Sequence, residues 1–186
     1  AALVNGNLTL LTTATASSSA TLDFTSSINS TYDSYLFKFI DIHPATDDTD
    51  LTFQADTGTN TNYNQTITST AFQVFHGEDG NSGAVAYKAN RDQAQGTAFQ
   101  PLCQDIGNGN DESMSGHLHL FNPSSSTFVK HFIGLGTNVY SGDASIQIYS
   151  AGYINTTTAL TRVQFKMDSG NIDAGVIKMY GVGPKQ

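Results

Sequence analysis

Apolar and polar residues alternate with a period of two through most of the chain, the pattern of strands with one face buried and one wet. Leu22 and Phe24 alternate in this way with Asp23 and Thr25. Tyr35 to Ile42 is more apolar: Tyr35, Phe37 and Phe39 share one face, and Leu36, Ile40 and Ile42 the other, with only Lys38 and Asp41 interrupting. The spacing predicts a central strand covered on both sides over much of its length. Between these two segments, Ser26 to Ser34 is rich in Ser, Asn and Thr, whose side chains bond the nearby backbone and favour turns. Ile28 and Tyr32 are expected to fold back over a sheet edge. Thr21 to Pro44 is therefore the architectural anchor.

The same reading places strands at Asn7 to Thr15, Leu51 to Ala55, Tyr63 to Phe75, Ala84 to Ala89 and Phe99 to Ile106. It continues with a hairpin, Met114 to Phe121 and Thr127 to Leu135, around the Pro-led turn FNPSSS. Ala144 to Tyr149, Leu160 to Met167 and Val176 to Val182 complete the set. Gly77 to Asp111 is the least regular region, read as long exposed loops with at most two short strands. No segment shows helical apolar spacing. The expectation is one all-β domain over residues 1–186, an antiparallel β-sandwich of jelly-roll-like type with about ten to twelve strands, residues 1–20 forming an N-terminal strand or arm.

Composition narrows the partners. The formal charge is −8 and only 13% of residues are charged, so no basic stripe exists to neutralise phosphates or an anionic membrane. Neither nucleic-acid binding nor membrane insertion is expected, and no apolar run nears the roughly 20 residues of a spanning helix. The N-terminus lacks a signal peptide's basic segment and long apolar stretch, and its Ala start fits removal of an initiator Met. The one cysteine, Cys103, follows the alternation of Phe99 and Pro101 and reads as a buried small hydrophobe. The sequons at Asn7, Asn29, Asn64 and Asn155 are what chance supplies in an Asn- and Thr-rich chain.

Candidate chemistry is sparse. His117 and His119 share one strand face and His131 lies on the next strand, which makes His117 and His119 candidate metal ligands. Parity argues against one intrachain site. Leu118 and Leu120 oppose the pair, whereas His131 shares its face with Val129, Ile133 and Leu135, so the histidines diverge if both apolar faces meet in the core. A His-x-His pair repeated about a three-fold axis is the alternative. Asp47, Asp48 and Asp50 crowd one tip without the Gly and terminal Glu of a calcium loop. Nucleophile-elbow, phosphate-loop and zinc-protease motifs are missing, and the acids lie almost all in loops, so a hydrolase would need them to converge in three dimensions. No catalytic residue or cofactor is assigned. The recognition-loop candidates are Asp47, Asp48, Asp50, Tyr63, Glu78, Asp79, Tyr87 and Arg91, with Tyr63, Tyr87, Tyr140 and Tyr153 able to stack on a sugar ring.

Three segments together, TLDFTSSINSTYDSYLFKF, GHLHLFNPSSSTFVKHFIGLG and SGNIDAGVIKMYGVG, resemble a class of small virion proteins of tailed bacteriophages. The signatures are F-T-S-x-I-x-x-x-Y from Phe24 to Tyr32 and G-x-I-x-x-Y-G from Gly175 to Gly181. These proteins are similar to tail-fibre, receptor-binding and capsid-decoration β-sandwiches. The resemblance implies a non-enzymatic structural protein on the outer surface of a phage virion: a homo-oligomer, a trimer being favoured, that contacts other virion proteins or a host surface glycan. The alternative is a free carbohydrate-binding, lectin-like module.

Overall fold

The two apolar segments of Thr21 to Pro44 lie in different sheets. The computed structural model describes residues 8–184, so Asn7 and the N-terminal segment before it lie outside the described residues. The described strands are β1 (Leu8–Thr15), β2 (Leu22–Phe24), β3 (Tyr32–Pro44), β4 (Leu51–Asp56), β5 (Ile67–Gly77), β6 (Gly83–Tyr87) and β7 (Ala94–Gly96). They continue as β8 (Gln100–Pro101), β9 (Met114–Phe121), β10 (Lys130–Tyr140), β11 (Ala144–Ile154), β12 (Arg162–Met167) and β13 (Ile172–Pro184), and no helix occurs among the described residues. A nine-stranded sheet runs β1-β13-β3-β9-β10-β11-β5-β6, with β7 also on β5; a four-stranded sheet runs β2-β12-β4-β8. Every pairing is antiparallel, and the all-β sandwich expected from the alternation is the fold.

Phe165 of β12 joins the sheets. Its ring lies 5.3 Å from Phe37 and from Phe39 of the large sheet, and 5.9 Å from Phe24 beside it. The Phe24 and Phe39 contacts are edge-on and the Phe37 contact is tilted, and edge-on pairs add about 0.5–1.5 kcal/mol each beyond the area they bury. The polar crossing between β2 and β3 is pinned at both ends: Ile28 is buried, and the Tyr35 hydroxyl donates to the Asn29 carbonyl while accepting from the Asn29 N–H.

β3 is central in its sheet but buried on one face only. Tyr35, Phe37 and Phe39 point to the core, whereas Lys38 and Ile40 are exposed and Leu36 is half-buried. Ile42, expected on the opposite face from Phe39, is fully buried. The reason is a bulge: pairing with β9 slips between Phe39 and Ile42, and Asp41 takes a φ of 50°. One extra residue reverses the parity of everything after it.

The small sheet covers only part of the large one. Over β10, β11 and β5 the inner face is closed by the segment around β8, whose Gln100, Leu102, Cys103 and Ile106 are fully buried. Glycines make the approach possible. A Cβ at Gly136 would overlap the Leu102 carbonyl oxygen, and one at Gly134 would meet the Leu102 side chain at 2.8 Å. Cys103 is buried as its alternation predicts, and the Phe99 to Ile106 segment, expected as a short strand within a loop region, lines the core with only Gln100–Pro101 paired as a strand.

Candidate functional site

Two surfaces stand out, and different elements build them. The first is the outer face of the nine-stranded sheet. Leu8, Leu10, Ile40, Phe72, Val85, Tyr87 and Ile133 are all exposed, and strand parity puts all seven on this face. Register places Tyr87 beside Phe72, Phe72 beside Tyr149, Tyr149 beside Leu135 and Leu135 beside His117, a row that crosses β6, β5, β11, β10 and β9. The Phe72 and Tyr149 rings stack at 4.7 Å, nearly parallel. Single exposed apolar residues are ordinary, but a contiguous set on one sheet face marks a contact surface.

His117 and His119 belong to that face, and so does His131. The parity argument for divergence fails at β10, whose core side is Lys130, Phe132, Gly134, Gly136 and Asn138, while Ile133 and Leu135 point outward. Two inward glycines read as a polar face because they carry no side chain, and the Leu102 backbone fills the space they leave. His119 accepts from or donates to the Ser34 hydroxyl at 2.8 Å and packs on Phe121 at 4.1 Å. Partial burial lowers the pKa of His117 and of His119, helped at His117 by Lys38 and at His119 by His117. Among the described residues no three His, Cys, Asp or Glu side chains converge as metal ligands.

The second surface is one end of the sandwich, where the loops after β3, β5 and β10 meet those before β9 and β13. Asp47, Asp48, Glu78, Asp79, Asp111, Glu112 and Asp143, from four of these loops, sit there with Asp41 of β3 and Asp173 of β13, so turns that each read as ordinary combine into one negative surface. A cleft of about 570 Å³ opens between Asp41, His43, Asp111, Glu112 and Asp173. Bulges in both β3 and β13 shape it, with Gly175 at a φ of 113° against the Asp41 backbone. His43 Nε2 bonds the Gly109 carbonyl, and its Nδ1 lies 3.9 Å from Asp173.

The recognition candidates divide among three environments. Asp47 accepts from the Asn108 N–H and Asp48 from the Ser141 hydroxyl at the acidic end; Glu78 and Asp79 are exposed on the β5–β6 turn. Tyr87 is exposed on β6, its hydroxyl donating to Asp92. Asp50, Arg91 and Tyr63 are inside. Arg91 Nε lies 2.7 Å from Asp50 Oδ2 and its Nη2 2.9 Å from Asp105 Oδ1, while the Asp105 N–H donates to Asp50 at 2.8 Å. Burial pushes Asp50 up to about 7 despite these partners. Tyr63 is buried with its hydroxyl toward Asp23, and burial raises its pKa. These three residues tie loops to the core. Phe72, Tyr149, Ile133, Leu8 and Leu10 were not singled out by sequence reasoning, because only pairing order reveals that they share a face.

Compared with family models, curated proteins and solved structures, the chain matches none.

Proposed function

We propose that this is a non-enzymatic structural protein on the outer surface of a tailed-phage virion, a jelly-roll-like knob or decoration that self-associates and contacts capsid, tail or host surface. The observation that carries the reading is the exposed apolar row on the large sheet, in a chain otherwise solvated by small neutral polar groups. A surface of that kind fits repeated protein contacts better than the binding of a diffusible substrate. The acidic end suits a basic partner surface through charge complementarity. Mass spectrometry of purified particles from the source tests the reading: the protein is expected as a virion component, and its absence from particles overturns it.

The stacked Phe72 and Tyr149 with neighbouring Tyr87 favour a second reading, a free carbohydrate-binding module. Binding on a glycan array that is lost with Phe72→Ala and Tyr87→Ala supports it, and failure to bind any sugar removes it.

A further inference from the structure

The edge strand β6 ends the nine-stranded sheet with one of its two edges unpaired among the described residues. All five of its residues, Gly83 to Tyr87, are exposed, and β5 covers one edge only. At one end the Lys88 N–H donates to the Ala71 carbonyl of β5, and at the other the Gly77 N–H of β5 donates to the Ser82 carbonyl just before β6. Antiparallel ladders alternate, so Ala84 and Ala86 spend their backbone groups on β5 and those of Gly83, Val85 and Tyr87 face outward. Natural edge strands are guarded by lysine, proline or a bulge. The sequence GAVAY has none of these, and Val85 is 72% exposed.

We propose that two copies of this protein join edge to edge through β6, antiparallel about a two-fold axis at Val85. The outward backbone groups are symmetric about that residue, so Val85 exchanges hydrogen bonds with the partner's Val85, and Gly83 with the partner's Tyr87. Side chains agree with the register. Ala84 faces the partner's Ala86 on the inner side, small against small, and on the outer side the Tyr87 ring covers the partner's Gly83, the aromatic-over-glycine pair that stabilises strand pairing.

Charge agrees as well. The strand starts at the acidic end beside Glu78 and Asp79 and finishes at Lys88, which makes no ion pair among the described residues. Antiparallel pairing sets Lys88 across from the partner's Ser82, next to the partner's Asp79, and sends the two acidic ends in opposite directions. The outer apolar row then runs unbroken from one large sheet into the other. Two five-residue strands bury less than about 1,200 Å², so the dissociation constant is expected in the micromolar range. The pairing deepens the self-association proposed above, yet it rests on β6 alone and holds wherever the protein acts.

Sedimentation equilibrium of the full chain across a concentration series tests it, together with V85K, K88E and V85C. The wild type is expected to form dimers, V85K to weaken them roughly tenfold or more by setting like charges opposite one another, and K88E to weaken them less, with a change in salt dependence. Mild oxidation of V85C is expected to give a covalent dimer, while T137C on the same sheet face gives none. Circular dichroism confirms that each variant folds. A wild type that stays monomeric at about 1 mM, an oligomer indifferent to V85K, or a V85C that does not cross-link each overturns the pairing. Particle mass spectrometry decides the virion reading separately.

Discussion

Arg91 holds Asp50 in the interior, Nε to Oδ2 at 2.7 Å, with both side chains largely withdrawn from water. The pair ties the loop after β6 to the residue just before β4, and through Asp105 to the segment that closes the core. The Asp50 backbone N–H is held in turn by Asp168, and the Thr49 hydroxyl donates to the same carboxylate.

Burial raises the Asp50 pKa from its ordinary 3.8 to about 7. The native state therefore holds a proton between pH 4 and 7 that the unfolded chain has released. This group's contribution is complete below about pH 4 and is lost as pH rises through 7, on the order of a few kcal/mol. Denaturant titrations at several pH values are expected to show that decline in the wild type and a flatter profile in Asp50→Asn. Arg91→Ala removes the charge that holds the Asp50 pKa down, so the carboxyl is expected to be protonated at neutral pH, at a cost of about 1–3 kcal/mol for the buried polar groups left without their partner.

His117 and His119 act in the opposite sense. Their pKa values are lowered in the folded state, so their contribution is present above the unfolded value of 6.5 and is lost as pH falls through the folded value. NMR titration is expected to find both His117 and His119 more than half neutral at pH 6.5. Replacing both with Gln is expected to reduce the destabilisation seen as pH falls below 6.5.

Phe165 is the ring on which both sheets converge. Phe165→Ala is expected to lose about 3–5 kcal/mol in equilibrium unfolding, and Phe165→Leu less, since Leu retains part of the volume.

Gly136 shows why a residue without a side chain can be irreplaceable. Gly136→Ala drives a methyl group into the Leu102 carbonyl and is expected to cost about 1–3 kcal/mol or more, with thermal unfolding as the readout. Gly80, with open space around its Cβ position, is a contrasting site; its φ of 72° leaves backbone strain as the only penalty there.

Sequence pattern made the strands legible wherever alternation was clean. Val163, Phe165 and Met167 are buried, and Arg162, Gln164 and Lys166 are not, as their spacing predicts. It failed where geometry intervened. The bulge at Asp41 reversed Ile42, and the inward glycines of β10 disguised its core face. Pairing order stayed hidden, because β1 reaches its neighbour β13 across nearly the whole chain. For the same reason Leu10, Phe72 and Ile133 gave no sign of belonging to one surface. The acid-rich loops were visible one by one; their gathering at one end follows from topology.

Because the segment from Gln100 to Ile106 serves as a wall of the core, the middle of the chain is not uniformly open to change. Foreign peptides are expected to be accommodated at the β5–β6 turn around Gly80 or in the exposed Asn108 to Asp111 loop, and to abolish folding when placed after Leu102. Two display sites thus flank a stretch that must be left intact.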